Sequence, residues 1–431
     1  MTPGARVSAA IEILADIEAR KRPAAEALKD WGTSHRFAGS GDRAAIGNLV
    51  FDALRTQASG AYAMGEDSPR AVVLRTLVTS WQMTPEQVAA LADGSRYASK
   101  PLSEAELDGL SRELPADAPA HVRGDYPEWL ALEFERSFES HAAEEGAALA
   151  KRAPVDLRVN TLKAPRDKVL KALHRFDAQP TSHSPIGVSI LQGPGPARSP
   201  HVEAEPGHGK GWYEVQDEGS QVATLLSGAK PKEQVIDLCA GAGGKTLGLA
   251  ALMRNTGQLY AYDADRLRLR PIFERLRRAG VRNAQVLPAG DTEALAKLQG
   301  KMDLVLIDAP CTGSGVWRRR PDAKWRLTPQ MLETRIAEQR AVLGEGAALV
   351  KAGGRLAYIT CSVLPQENRD QVAAFLGGHP EFKLVPWRQL WERNLDTPAL
   401  ASADGCEDTL LMSPLSHGTD GFFVAVMQRQ D

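Results

Sequence analysis

Two of the chain's four cysteines stand where apolar runs end. In "DLVLIDAPCTGSGVW", residues 303–317, the run Leu304 to Ile307 leads to Asp308, Pro310 and Cys311. In "GRLAYITCSVLPQEN", residues 354–368, a second run leads to Cys361. Pro310 and Ser362 mark turns rather than strand interiors, so these two thiols are read as reactive. Cys239 and Cys406 are read as packing. Two thiols beside a carboxyl suit one reaction in particular. Carbon 5 of a pyrimidine is too weak a nucleophile to take a methyl group until a thiolate adds at carbon 6. The adduct then needs a donor at N3, removal of the carbon-5 proton and release of the thiol. Asp308 can serve N3, and by chemistry alone either cysteine could attack. A disulfide between them is the competing reading, and a reducing cytoplasm argues against it.

The methyl source is read from another turn. In "DLCAGAGGKT" glycines join a strand to a helix and let backbone N–H groups approach a ligand. A phosphate-binding loop would need Gly at 239, which is Cys, and a dinucleotide fingerprint would need Gly at 246, which is Thr. Asp263 in "YAYDAD" and Asp291 in "AGDTEA" follow the next two strands. The first suits a ribose diol, and the second could accept from an adenine amino group. An adenosine-containing cofactor with no polyphosphate fits this set, and S-adenosylmethionine fits best. A strand end reading Asp/Asn-Pro-Pro-aromatic would indicate methylation of an exocyclic amine, but here it reads Asp308-Ala309-Pro310-Cys311.

Strands and helices must bring these groups together. "EQVIDLC", "GQLYAYDAD", "NAQVLPA", "DLVLIDAP" and "GRLAYITCS" alternate with helical stretches, and "GFFVAVMQR" closes the chain. That alternation indicates an α/β, doubly wound, mostly parallel sheet with its ligands at the carboxyl ends of the strands. Residues 1 to about 92 read as successive amphipathic helices, with Ser40 and Asp42 as N-cap candidates in "SGDRAAIGNLVFDALRT". "VDLRVNTLK" and "PRDKVLKALHRF" open a small α+β region, followed by a Gly/Pro-rich loop. The expected domains are 1–143 (helical, with linker), 144–225 (small α+β) and 226–431 (catalytic).

Net charge is only −2, so any basic surface must be local. "TGSGVWRRRPDAKWR" provides one beside the proposed chemistry. Arg318, Arg319, Arg320 and Lys324 are candidates for phosphates, and Trp317 and Trp325 offer faces for unstacked bases. Arg158 joins the candidate RNA contacts. The arginines at 266, 268, 270, 275, 277 and 278 fit an exposed helix face at least as well, with Pro271 starting or bending that helix. No run of about 18 apolar residues could span a bilayer, and no C-x-x-C pair suggests a metal site. A cytoplasmic monomer without metal is expected.

From "VQDEGSQ" to "GFFVAV" the chain resembles the Nop/Sun family of RNA cytosine-C5 methyltransferases. The carrying motifs are "QDEGSQ", "DLCAGAGGKT", "DAPCTGSGVWRRRPDAKW", "TCSVLPQEN" and "DGFF". The N-terminal helices are similar to the NusB-like domain of the bacterial small-subunit rRNA methyltransferase B type. The resemblance implies a Rossmann-like domain with a mostly parallel seven-stranded sheet, preceded by an RRM-like subdomain. It implies Cys361 as nucleophile, Cys311 as the thiol that assists release, and Asp308 near N3 and the cofactor. DNA cytosine-C5 methyltransferases attack instead with the Cys of their Pro-Cys motif, so only the resemblance selects Cys361. The S-adenosylmethionine site it implies runs through Cys239, Ala240, Gly241, Ala242, Gly243, Gly244 and Lys245, with Asp263 and Asp291. The implied partner is RNA, small-subunit rRNA or a ribosomal assembly intermediate above all. The alternatives are the same chemistry on tRNA or another RNA, and a non-catalytic RNA-binding assembly factor, against which intact Cys311, Cys361 and Asp308 argue. One position departs: the family's turn usually reads Ala-Pro-Gly-Gly, and Ala242 here replaces the Pro. A less pre-ordered cofactor turn is expected.

Overall fold

Five helices open the chain: α1 (Pro3–Arg20), α2 (Ala24–Ser34), α3 (Ser40–Arg55), α4 (Gln57–Met64) and α5 (Pro69–Thr79). The coordinates are those of a computed structural model describing residues 1–431. α1 begins where the Thr2 hydroxyl accepts from the Ala5 N–H and Pro3 presets the first turn. Its stripe of Val7, Ala10, Ile13, Leu14 and Ile17 is buried. α3 is capped differently from the expectation. Gly39 is its N-cap and Ser40 its first helical residue. Asp42 reaches back to the Gly39 N–H at 3.3 Å and pairs with Arg6 at 2.8 Å.

Two distant pieces of chain, Gln192–Ser199 and Val316–Leu327, pack with Met1–Ala153 as one compact unit. Residues 144–153 also lie within it, so the cut expected after 143 does not bound this unit. The reason is side-chain anchoring. Arg152 pairs with the buried Asp52 and donates to the carbonyls of Gly193 (2.8 Å) and Gly195 (2.7 Å).

The second unit is Pro154–Leu191, Pro200–Gly315 and Thr328–Asp431. Its smaller sheet is antiparallel, with order β2-β3-β1-β4: β1 (Val155–Val159), β2 (Gln179–Pro180), β3 (Gly187–Ile190) and β4 (Tyr213–Val215). Its larger sheet holds β5 (Gln234–Asp237), β6 (Gln258–Ala261), β7 (Ala284–Val286), β8 (Met302–Asp308), β9 (Val350–Thr360), β10 (Phe382–Val385), β11 (Leu410–Met412) and β12 (Phe422–Arg429). The order is β10-β12-β9-β8-β5-β6-β7, and β11 pairs with β12. Seven strands thus make the expected path and short β11 adds an eighth.

Pairs from β7 through β9 are parallel, and those made by β12 are antiparallel. Leu304, Val305, Leu306 and Ile307 of β8 are all 0% exposed, so both faces of this central strand are covered. That burial accounts for an unbroken apolar run rather than an alternating one. Parallel pairing then brings the carboxyl ends of β5, β6, β8 and β9 to one edge of the sheet, where the candidate residues follow. No helix is long and apolar enough to cross a membrane.

Candidate active site

β8 and β9 are parallel neighbours in register from Leu304 to Asp308, so the loops leaving them are adjacent. Cys311 and Cys361 are free, and their sulfurs stand 3.4 Å apart, within S–H···S reach and well beyond a disulfide bond. The Cys361 sulfur beside it, then burial and the Glu367 carboxylate, push the Cys311 thiol well above the usual range, so Cys311 keeps its proton. The Gly315 N–H donates to the Cys361 carbonyl at 2.9 Å, and Gly421 N–H donates to Gly315 O at 2.8 Å. A Cβ on Gly315 would lie 2.1 Å from Gly421 O, so only glycine lets "TGSG" meet "DGFF" this closely.

Asp308, at the end of β8, pairs with the Lys245 ammonium at 2.7 Å. Lys245 is buried and lies over the Phe422 ring at 5.2 Å from its centroid. This pair therefore links the glycine turn to the cysteine-bearing strand end.

The turn itself is clamped. Asp263 accepts from the Gly241 N–H at 2.9 Å. Arg275 donates to Ala242 O at 2.9 Å, and Arg158 donates to Gly244 O at 2.6 Å. Gly243 has φ +84 and a Cβ there would meet Ile272 at 2.5 Å. At Ala242, where the family usually has Pro, the turn's carbonyls are bonded by two guanidinium groups. Arg158 is only 3% exposed and is spent on this clamp, so it is not an RNA contact.

Beside the turn lies a cleft of about 710 Å³. Leu238, Tyr262, Ala264 and Pro310 give it apolar walls, and Asp263 and Asp265 give it carboxylates. This donor set fits a nucleoside: flat apolar surfaces for a base and carboxylate acceptors for a diol. Cys239 is half-buried and lines the cleft too. Burial and then the carboxylates of Asp237, Asp308 and Asp263 raise its thiol pKa well above the usual range. Asp291 caps the helix Thr292–Ala296 through the Ala294 N–H at 3.0 Å and is not among the cleft's lining residues.

The basic stretch departs furthest from its sequence reading. Arg318 is 5% exposed and Lys324 is 1% exposed. Lys324 Nζ donates to the carbonyls of Arg55 at 2.9 Å and Asp125 at 2.5 Å. Trp325 Nε1 donates to Leu54 O at 2.6 Å, and Trp317 stacks near Phe134 with ring centroids 5.9 Å apart. Arg318 and Lys324 are therefore interior groups of the helical unit, and neither tryptophan presents the free face expected. Two carbonyls replace water around the ammonium, which is what permits its burial. Arg319 is half-buried and Arg320 is exposed. On the helices around Pro271, Arg266, Arg268, Arg270 and Arg277 are exposed. Arg275 and Arg278 pair with Glu214 at 3.0 and 2.7 Å.

Glu367 carries no role in the sequence reading, yet it is fully buried behind both cysteine loops. The one signal for it was its place in "TCSVLPQEN". No group of three or more His, Cys, Asp or Glu is placed to hold a metal ion.

A family model described as 16S rRNA methyltransferase RsmB/F matches residues 223–428. A second, described as a Methyltr_RsmF/B-like, ferredoxin-like domain, matches residues 126–197. The ribosomal RNA small subunit methyltransferase B of Sodalis glossinidius is 30% identical over 413 residues, 90% of this chain and 90% of that protein. The probable ribosomal RNA small subunit methyltransferase B of Synechocystis sp. is 31% identical over 306 residues, 70% of this chain and 67% of that protein. The crystal structure of PH0851 superposes with a TM-score of 0.73 at 26% identity, covering 100% of this chain and 99% of that one.

Proposed function

The chain belongs to the RsmB/F family of 16S rRNA methyltransferases, and on that premise we propose that it makes 5-methylcytosine in small-subunit rRNA through a covalent bond between Cys361 and the base. The observation that carries the reading is the pair of free thiols, 3.4 Å apart, at the ends of adjacent parallel strands.

S-adenosylmethionine is the cofactor, and when bound it supplies an electrophilic methyl group. The turn from Cys239 to Lys245, with Asp263 and the cleft beside it, would hold it. The Cys361 thiolate adds to carbon 6 of the cytosine, and carbon 5 becomes nucleophilic enough to take the methyl. Negative charge develops toward N3 as the thiolate adds; the Lys245 ammonium offsets it, and Asp308 orients that ammonium. Loss of the carbon-5 proton to solvent water restores the C5=C6 double bond, and that electron pair expels the Cys361 sulfur as a thiolate. Cys311, kept protonated beside the Cys361 sulfur, donates to that sulfur as it leaves.

Two variants test this. Cys361→Ala lowers methyl transfer by at least about 10⁴-fold while retaining cofactor binding by calorimetry. Cys311→Ala attacks but does not let go, and accumulates a protein–RNA adduct that survives a denaturing gel. Full turnover in either variant removes the corresponding role, and bisulfite mapping of the product identifies the methylated base.

A further inference from the structure

Each cysteine is followed by a hydroxyl residue, Thr312 after Cys311 and Ser362 after Cys361. One oxygen of one carboxylate accepts from both. Glu367 Oε2 lies 2.5 Å from Thr312 Oγ1 and 2.5 Å from Ser362 Oγ. Glu367 Oε1 accepts from the Thr312 N–H at 2.8 Å and from Gln339 Nε2 at 3.0 Å. The same Gln339 amide donates to Pro310 O at 2.9 Å, immediately before Cys311.

A second branch reaches the same carboxyl. The Val363 N–H donates to Ser314 Oγ at 2.9 Å, and Ser314 and Ser362 hydroxyls are 2.9 Å apart. Ser362 Oγ accepts from the Leu364 N–H at 3.1 Å and lies 2.5 Å from Glu367 Oε2. The contacts therefore run from Val363 through Ser314 and Ser362 to Glu367. Burial raises the Glu367 pKa, and the hydroxyl and N–H donors pull it back. Its backbone is held as well, since Tyr358 donates through its hydroxyl to Glu367 O at 2.6 Å.

We propose that Glu367 is the positioning residue of the release step, tying the two cysteine loops together so that Cys311 stays within donating reach of the Cys361 sulfur. This rests on the two-thiol reading above. Beyond the ends of β8 at Asp308 and β9 at Thr360, two backbone bonds link the segments, Ala309 N–H to Ile359 O (2.8 Å) and Gly315 N–H to Cys361 O (2.9 Å). Neither holds residues 310–312, where Glu367 and Gln339 do. Beyond those ends, a shift of about 1 Å at either loop separates the sulfurs past hydrogen-bonding range. Attack by Cys361 does not depend on that contact, whereas release does.

The test is Glu367→Gln, which keeps shape and volume and replaces one of the two carboxyl oxygens by an amide NH2 that cannot accept from the donors around it. Thr312→Val accompanies it, removing one hydroxyl at constant shape and deciding the matter if the first variant does not fold. Single-turnover methyl transfer, multiple turnover, KM for RNA and denaturing gels are compared with wild type and Cys311→Ala. The expected result for Glu367→Gln is single-turnover transfer within about 3-fold of wild type, multiple turnover reduced at least about 10-fold, KM unchanged, and an RNA adduct on the gel. Thr312→Val shows the same pattern more weakly. A variant that loses single and multiple turnover in parallel without adduct, or turns over normally, overturns the positioning role. If Cys311→Ala itself gives no adduct, the two-thiol reading has failed. If it does and Glu367→Gln does not, only this inference has.

Discussion

The loops that carry the cysteines and the basic stretch that follows one of them both bury an ionisable side chain, but for different ends. In the loops a buried carboxyl, Glu367, is surrounded by hydroxyl, amide and N–H partners and backs two thiols. In the stretch a buried cation, Lys324, is capped by two carbonyls and pins a distant piece of chain among helices. In both places the group is tolerated because backbone or side-chain partners replace its water. The difference lies in what the anchored backbone presents: a pair of free thiols in one case, helix packing in the other. A charged side chain near reactive groups is thus no evidence of substrate contact until its partners are known.

The largest effect should come from breaking the cationic staple. Lys324→Ala leaves two buried carbonyls without a donor, and the Asp125 carboxyl, whose pKa burial already raises, without its neighbouring cation. A loss of about 3 kcal/mol in urea unfolding is expected. Wild-type stability combined with weakened RNA binding would return Lys324 to the surface-contact reading.

A second carboxyl sharpens the contrast with Glu367. Asp237, at the end of β5, is fully buried, accepts one hydroxyl from Thr246 at 2.7 Å, and leaves Oδ1 without a partner. Burial pushes its pKa from 3.8 up to about 7. The folded protein therefore holds this proton more tightly than the unfolded chain. Its stabilising contribution is full below about pH 4 and is lost as pH rises through about 7. Asp237→Asn should remove that slope, gaining roughly 2 kcal/mol relative to wild type between pH 5 and pH 8. Parallel unfolding curves for the two proteins at both pH values would contradict it.

The smallest effect belongs to the exposed member of the stretch. Arg320→Ala should leave the melting temperature unchanged and weaken RNA binding about 3-fold, with the salt dependence reduced by about one ion. An unchanged salt slope would remove Arg320 from the RNA surface.

Much of the fold was legible because its signals are local. Leu304 to Ile307 reads as a central strand from apolarity alone, and the glycines of "DLCAGAGGKT" read as a tight turn before a helix. The cysteines were legible by their position at strand ends. Arg158, Arg318 and Lys324 were misread because a side chain's charge is written in the sequence and its partners are not. The carbonyl of Gly244 is 86 residues from Arg158, and that of Arg55 is 269 residues from Lys324. The N-cap of α3 was missed in part for the same reason. Ser40 and Asp42, two residues apart, both offered caps, and Asp42 instead accepts from the Gly39 N–H and from Arg6, 36 residues away.

The order of strands and turns, the family motifs and the two thiols were determined by the sequence itself, through periodicity, glycine placement and residue chemistry. Tertiary structure alone decided which charges are interior. It also decided that two arginines bond the carbonyls of the glycine turn and that one glutamate lies behind both cysteine loops. Those features depend on which distant donors and acceptors meet once water is excluded, and no local pattern specifies that meeting.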